Sequence, residues 1–290
     1  MSDTVASLRR KIGGASDLQS VVRTMKALAG ASIGQYERSV GAVADYSRIV
    51  EQGLSLCLRD SGPVVPTRGP AEDGIGAVVF GSDQGLVGEF NEVIAEHAVT
   101  VLAAVPGNPE IWSVGERVRE RLSDTILPVI GSFAVPLSVQ AIGPLVGRIL
   151  VAYEARNSQE TVGELHLIHN RPTAEGVYVP ASRKLLPLDD AWRRSLAERP
   201  WPTGNLPEIL GAGTATLGAF IREYLFVSLF RACAESLASE NAARLAAMER
   251  ADKNIDELLA TLHNDFRRLR QSGIDEELFD VVAGYEALTT

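Results

Sequence analysis

Apolar positions recur with the greatest regularity in the last part of the chain, from about Leu217 to Leu288. This stretch contains no proline, and its apolar residues return at alternating steps of three and four. A repeat close to 3.5 residues keeps one stripe of a helix facing a partner along its whole length, as in a coiled coil. The pattern therefore predicts a single helix of roughly 100 Å. One row consists of Asn241, Met248, Ile255, Leu262 and Leu269, and beside it fall Leu237, Ala251, Leu258, Leu259 and Phe266.

A second amphipathic stripe begins near the N-terminus. Ser2 and Asp3 are suitable N-cap residues for a helix that enters at Val5. Apolar residues then recur in threes and fours as far as Cys57, and residues 60–63 (DSGP) predict the end of the helix. Two long stripes at opposite ends of one chain bury each other most simply as an antiparallel coiled coil. The alternative is a compact bundle, but bundle helices rarely run this long without a turn.

Proline placement separates these two helices from the middle of the chain. All fourteen prolines lie between Pro63 and Pro207, and proline inside a helix costs about 3 kcal/mol. We therefore expect three segments: an N-terminal coiled-coil helix over residues 1–62, an α/β domain over 63–210, and a C-terminal coiled-coil helix over 211–290.

The middle segment alternates between strand and helix patterns, which predicts a Rossmann-like α/β layer domain with a partly parallel sheet. Ile75–Phe80 is an apolar run bounded by glycines, as expected of a buried strand. Further strands are predicted at 111–114, 126–130, 164–169 and 178–186, and helices from 91 to about 105, over 116–122 and over 138–155, the last kinked or offset at its start by Pro144.

Composition places the chain among ordinary globular proteins. It is 46% hydrophobic and 22% charged, and no apolar run approaches the roughly 18 residues of a membrane span. The N-terminus lacks the layout of a signal peptide, and two isolated cysteines, Cys57 and Cys233, favour a reducing compartment. The net charge of −9 argues against a general nucleic-acid binder.

Candidate chemistry within the chain is sparse. Gly81, Gly85 and Gly88 follow the first strand, but their spacing is not G-x-G-x-x-G, and no lysine follows as in a Walker loop. His166 and His169 stand three apart on a predicted strand and so point to opposite faces, which disfavours a shared metal. No nucleophile elbow is present. We expect no catalytic site, metal or cofactor. Two alternatives stay open: a nucleotide- or phosphate-binding α/β enzyme that uses the glycine loop, and a non-rotary coiled-coil scaffold.

Three stretches together resemble the gamma subunit of the F-type ATP synthase, the central rotor shaft of that enzyme. Residues 17–29 (DLQSVVRTMKALA) are similar to the family's run TQKITKAMKMVA, and residues 82–91 (SDQGLVGEFN) to its SDRGLCGGFN. The last helix contributes two further stretches, residues 235–244 (ESLASENAAR) and residues 274–287 (IDEELFDVVAGYEA). The second of these resembles the family's C-terminal signature I-T-x-E-L-x-E-I-x-S-G-x-E-A. The matches occur in the family's order and at its distances.

This resemblance implies a non-catalytic subunit that couples ion translocation to ATP synthesis or hydrolysis by rotation. The implied partners are the catalytic and non-catalytic subunits of the synthase head, a small companion rotor subunit and the membrane ring. The implied location is peripheral, at the cytoplasmic face of the inner (plasma) membrane of a bacterium.

Carried over by position, the resemblance implies two groups of contact residues. Each also has a simpler interpretation: Met25 as core packing, Lys26 as a solvated residue, and Arg244 as a side chain that lies along the hairpin. The implied contacts with the catalytic ring are Met25, Lys26, Arg244, Gln271, Asp275 and Glu277, and the implied apolar bearing consists of Val281, Val282, Ala283 and Leu288.

The chain also departs from the family at several of these motifs. Ser20, Val22 and Ser32 stand where the family often has lysine or threonine, Val87 replaces a cysteine, and Asp275 replaces the signature threonine. These departures imply weaker or rearranged basic contacts with the acidic levers of the catalytic ring, as in a divergent subgroup.

Overall fold

The computed structural model describes residues 4–60, 74–157, 163–173, 178–188, 190–205, 207–209 and 213–289. Both predicted long helices are present as single elements, and five strands with shorter helices lie between them. The helices are α1 (Val5–Asp60), α2 (Phe90–Ala103), α3 (Glu116–Ser123), α4 (Ile142–Asn157), α5 (Asp190–Ala197) and α6 (Gly213–Thr289). The strands are β1 (Ile75–Phe80), β2 (Pro109–Val114), β3 (Val129–Phe133), β4 (Glu164–Arg171) and β5 (Val179–Leu186).

The chain divides into two compact units. One, which we call the helical unit, consists of Met1–Ala29 and Leu245–Thr290, and the other, the sheet unit, consists of Gly30–Arg244. The boundary between the units cuts through both long helices. The three segments expected from proline placement stay a prediction about the organisation of the chain.

The helical unit is an antiparallel helix pair, as predicted. Ala15 and Val22 of α1 are buried against Met248 and Ile255 of α6. The direction follows from cross-contacts, since the Arg9 guanidinium lies 5.9 Å from the centre of the Phe266 ring, whereas Lys26 pairs with Glu249.

One member of the predicted stripe is misplaced. Leu258 and Leu259 were both expected beside the seam, but Leu258 is 50% exposed, and only Leu259 packs into the seam. The seam of α6 advances by steps of three, four, four and three residues through positions 248, 251, 255, 259 and 262. These steps select Leu259 because Leu258 lies about 100° away around the helix.

A polar side chain interrupts the seam of the helical unit. Gln19 is buried, and its Nε2 donates hydrogen bonds to Asp252 Oδ1 at 3.2 Å and to Asp256 Oδ1 at 2.5 Å. Arg23 donates from Nε to the same Asp252 oxygen at 3.1 Å. This polar layer was not anticipated from the apolar pattern.

The sheet unit contains one five-stranded sheet in the order β3-β2-β1-β4-β5. The first four strands are parallel, and β5 pairs antiparallel to β4 at the edge. Because the central strand β1 is buried on both faces, it is apolar at nearly every position. Helices α2 and α3 cover one face, whereas α4 and the sheet-unit parts of α1 and α6 cover the other.

Differences from the predicted elements concern the ends of strands and one helix. Strand β3 starts at Val129 rather than at position 126, and Ile126 is 90% exposed in the turn before it. Pro144 lies in the first turn of α4, where its missing N–H removes no helical hydrogen bond. The helix therefore begins at Ile142 and continues through Pro144 without a break. Helix α5 was not predicted. None of the helices in the described part of the chain is both long enough and apolar enough to cross a membrane.

Close approach of α1 and α6 within the sheet unit depends on Gly53. A Cβ atom at this position would lie 2.3 Å from Cε1 and Cζ of Phe220 on α6. Gly53→Ala should therefore lower the free energy of unfolding by about 1–3 kcal/mol, because the ring has to move. Gly41→Ala is the matched control, since its Cβ meets nothing within 4 Å, and it should raise stability by up to about 1 kcal/mol. Chemical denaturation of both variants tests this, and equal effects would contradict the packing described.

Candidate functional site

The C-terminal part of α6 presents an uncovered apolar face. Ile274, Leu278, Val281 and Val282 follow one another at helical spacing, and all four are exposed. Phe279, beside them, is 72% exposed. The predicted bearing residue Ala283 is also exposed, whereas the side chain of Leu288 lies outside the described residues. A contiguous apolar face that no described residue covers is typical of a binding surface for another protein.

Three of the predicted ring contacts lie on the same part of α6. Gln271, Asp275 and Glu277 are exposed, and none of their side chains forms a hydrogen bond or ion pair with another described residue. Gln271 and Asp275 are four residues apart and so share one side of the helix. The structure therefore places polar groups next to the uncovered apolar face, where a partner could reach both.

Met25 and Lys26 are engaged within the helical unit. Met25 is half-buried and packs against the seam, which agrees with its interpretation as core packing. The Nζ atom of Lys26 lies 3.5 Å from Glu249 Oε1, and the two side chains are 38% and 56% exposed. An ion pair at the surface contributes little to stability, so the pairing with Glu249 does not prevent Lys26 from binding another partner.

Arg244 is in a different environment from the other predicted contacts. Only 13% of its side chain is exposed, and its Nη2 donates to Glu240 Oε1 at 2.6 Å. Burial raises the pKa of Glu240, with a further increase from Asp83, and the Arg244 guanidinium opposes this without cancelling it. The Nε atom of Arg244 is buried and has no hydrogen-bond partner among the described residues. Arg244 is thus part of the interior of the sheet unit, with one edge still unsatisfied.

The glycine loop after β1 is held by its own side chains. Ser82 N donates to Asn91 Oδ1 at 2.9 Å, and Asn91 Nδ2 donates back to Ser82 Oγ at 2.8 Å. Asp83 accepts hydrogen bonds from the backbone N–H groups of Glu116 and Val135, at 2.9 Å and 2.8 Å. A Cβ at Gly81 would meet Val118 and Asn91. These bonds engage the Ser82 N–H and place the Asp83 carboxylate in the loop, where its negative charge would repel a phosphate, so they favour a structural turn over a nucleotide site.

The same loop exposes one strained apolar residue. Leu86 has a φ of 63° and an exposed side chain. A positive φ is uncommon outside glycine, and such residues concentrate at functional positions. No pattern in the sequence predicted this conformation, because the neighbouring glycines Gly85 and Gly88 could have adopted it more easily.

Polar residues that sequence reasoning missed connect β4 to α6. All nine residues from Ala232 to Glu240 are buried, so α6 is surrounded here on every side. Asn170 donates to the Phe90 carbonyl at 3.0 Å, and the Ser239 hydroxyl donates to the Asn170 carbonyl at 3.1 Å. The available signal was two glutamates in a run of small residues, which is unusual for a solvated helix face.

Glu235 is the most enclosed charge of this connection. Its Oε2 lies 2.8 Å from His169 Nε2, and its Oε1 accepts from Arg231 Nε at 2.8 Å. Burial alone would raise the pKa of Glu235, but the hydrogen bonds from His169 and Arg231 outweigh it and hold that pKa below its usual value. The carboxylate is therefore ionised near neutral pH.

The two strand histidines are separately engaged, as their spacing predicted. His166 Nε2 lies 3.0 Å from Glu164, and His169 pairs with Glu235. Among the residues that the structure describes, no group of three or more His, Cys, Asp and Glu side chains is arranged to hold a metal ion.

Comparison with known sequences gives one consistent result. The sequence model of a family described as ATP synthase matches residues 4–288. The ATP synthase gamma chain of Syntrophus aciditrophicus (strain SB) is 28% identical over 296 residues, which cover 97% of each chain. The gamma chain of Moorella thermoacetica is 26% identical over 294 residues, which cover 97% of this chain and 98% of that one.

Comparison with solved structures shows the same fold. The rotor of the Euglena gracilis mitochondrial ATP synthase in rotational state 1 superposes with a TM-score of 0.61 at 19% identity, covering 93% of this chain and 98% of that one. An OSCP/F1/c-ring structure of the same enzyme contains a chain that superposes with a TM-score of 0.64 at 17% identity, covering 98% and 94%.

The Glu235 carboxylate makes a testable contribution to stability. A carboxyl group whose pKa is lowered by folding stabilises the protein above its unfolded pKa, and this contribution is lost as pH falls through the folded pKa. Glu235→Gln should lower the free energy of unfolding by about 1–3 kcal/mol near pH 7. The difference in free energy of unfolding between Glu235→Gln and the unmodified chain should disappear as pH falls from about 5 to about 3, as measured by denaturant titration. The exposed Glu257→Gln serves as the charge-matched control, and a pH-independent gap for Glu235→Gln would contradict the assignment.

Proposed function

The chain belongs to the family of ATP synthase gamma subunits, and on this premise we propose that the exposed end of α6 forms its contact with the catalytic ring. As a gamma subunit it is the non-catalytic central rotor stalk of an F-type ATP synthase, coupling ion translocation to ATP synthesis or hydrolysis. The observation that supports the contact is the uncovered apolar face from Ile274 to Val282, bordered by polar side chains without partners in the described chain.

The apolar residues of this face serve as the bearing. Val281, Val282 and Ala283, with Leu288 after them, make contacts that lack directional bonds, so one orientation is not strongly preferred over the next. Rotation of an apolar surface within an apolar sleeve breaks no hydrogen bonds. The energy of such a contact depends mainly on the area removed from water, which rotation changes little.

The polar residues make the orientation-dependent contacts. Gln271, Asp275 and Glu277 project from one end of α6, and Lys26 with the exposed part of Met25 belongs to the antiparallel pair. A contact of this kind favours one conformation of a catalytic subunit only if it binds that conformation better than the others. As the stalk turns, the residues reach each catalytic subunit in succession and bias its nucleotide affinity.

Arg244 has a narrower part in the proposal. Its ion pair with Glu240 leaves only one edge of the guanidinium available. A carbonyl or carboxylate of the ring that reaches this edge would satisfy the Nε donor, which has no partner among the described residues. The contact therefore depends on Glu240 holding the guanidinium in place.

The partners follow from membership of the family. The structures similar in fold come from assemblies described as a rotor and as OSCP/F1/c-ring. We assign the catalytic and non-catalytic subunits of the head, the companion rotor subunit and the membrane ring as the partners of this chain. Several similar gamma chains are bacterial, which supports a peripheral position at the cytoplasmic face of a bacterial inner membrane.

Reconstitution with the catalytic and non-catalytic subunits of the same source tests this proposal. We expect a defined complex with one copy of this chain per ring. Gln271→Ala combined with Asp275→Ala should lower its ATPase rate roughly tenfold, the effect of losing about 1.4 kcal/mol of orientation-dependent contact. Gln35→Ala, an exposed glutamine on α1, is the matched control and should leave the rate unchanged.

Two results would overturn the proposal. One is failure to form the complex while the purified chain makes a stable homodimer, which would favour a scaffold. The other is tight nucleotide binding by the chain alone that is lost in Gly85→Ala, which would favour a nucleotide-binding enzyme.

A further inference from the structure

A cavity of about 260 Å³ lies at the edge of the sheet unit. Strands β4 and β5 form its floor, and the α1 and α6 segments of the sheet unit form its walls. Leu167, His169 and Arg171 alternate along β4 and so face the same side. On β5, Arg183 and Ala181 lie opposite Leu167 and His169. The cavity is therefore centred on the His169–Ala181 pair, where the small alanine leaves space.

Three arginines line this space. Arg171 of β4 and Arg183 of β5 lie on either side of the His169–Ala181 pair, the Arg183 guanidinium lies 5.5 Å from the centre of the Tyr224 ring, and Arg231 of α6 lines a wall. The two carboxylates of the lining already have cationic partners, since Glu51 pairs with Arg199 at 2.6 Å and Glu235 with Arg231 and His169. Neither Arg171 nor Arg183 pairs with a carboxylate of the described chain, and Arg183 instead donates to the Tyr224 hydroxyl at 2.6 Å. The cavity thus carries an excess of positive charge.

His169 adds a buried group that lacks a hydrogen-bond partner. The residue is 8% exposed, and its Nδ1 has no partner among the described residues. The Glu235 carboxylate can only accept, so the ring carries a proton on Nε2, and Nδ1 is the ring atom left for a ligand. Hydrogen phosphate has a hydroxyl that can donate and anionic oxygens that can accept, so it can pair with Nδ1 and with the arginine guanidinium groups at the same time.

We propose that this cavity binds one inorganic hydrogen phosphate ion, held by Arg171 and Arg183 and hydrogen-bonded to His169. Arginine forks match the geometry of phosphate oxygens, and charge-assisted bonds of this kind are about twice as strong as neutral ones. The bound ion joins β4 and β5 to the walls from α1 and α6, and so stabilises the sheet unit. The site goes beyond the proposed function, since a rotor contact requires no ligand. It makes the stability of this unit depend on the concentration of phosphate.

Calorimetric titration of the full chain with inorganic phosphate near neutral pH tests the proposal. We expect a single site with a dissociation constant on the order of 1 mM. Arg171→Gln should weaken binding at least about tenfold, because it removes a charge-assisted pair. Ala181→Leu should abolish binding by filling the cavity without a change of charge.

The matched control is Lys184→Gln on β5. Lys184 is the neighbour of Arg183 in sequence, points to the opposite face and pairs with Glu164 at 3.6 Å. Its removal should change phosphate binding by less than about twofold, since an exposed paired charge contributes little. Absence of phosphate binding, or equal losses in Lys184→Gln and Arg171→Gln, would overturn the proposal.

Thermal unfolding gives a second readout that does not depend on assembly with any partner. Phosphate at about ten times its dissociation constant should raise the midpoint by about 2 °C in the unmodified chain and not in Ala181→Leu. A shift of the same size in both chains would also overturn the proposal. Failure of the rotor reconstitution leaves both measurements unaffected, so the two proposals can fail independently.

Discussion

The buried carboxylate of Glu235 is the constraint on which the arrangement of the sheet unit depends. A charge enclosed on all sides is stable only where fixed donors surround it, and here His169 comes from β4 and Arg231 from α6 itself. This requirement fixes the position of α6 against the sheet. The small residues between Ala232 and Glu240 then allow β4 and its neighbours to approach α6 closely. The Ser239–Asn170 bond and the loop that follows β1 complete the same connection.

In the helical unit, a buried polar side chain fixes the register between the two helices. An apolar seam alone tolerates sliding of one helix against the other, because each apolar residue finds an acceptable place one turn away. Gln19 removes that freedom, since its amide meets Asp252 and Asp256 in one register only. A buried polar residue that specifies register at some cost in stability is a known device of coiled coils. For a subunit that transmits torque, a fixed register is of direct use.

Periodicity predicted the parts of this fold that depend on burial of one face. Both long helices, their antiparallel pairing and strand β1 follow from apolar spacing and proline placement. The position of Leu258 was predicted wrongly, because apolar spacing does not resolve which of the adjacent residues Leu258 and Leu259 faces the partner helix. Helix α5 and the start of β3 depend on tertiary packing. Of the ring contacts carried over from the family resemblance, Gln271, Asp275 and Glu277 were found exposed. Met25 is half-buried, as its interpretation as core packing predicted, and Arg244 is largely buried. The hydrogen bonds of Glu235, Asn170 and Asp83 could not be predicted from the sequence, because each of them joins residues far apart along the chain.

The uncovered apolar face at the end of α6 also bears on how the cell has to make this protein. A chain released before its partners are present exposes Ile274, Leu278 and Phe279 to every other apolar surface in its surroundings. Self-association through this face competes with correct assembly and grows with the concentration of unpartnered chains. Balanced synthesis of the subunits therefore protects the chain as much as any feature of its own fold.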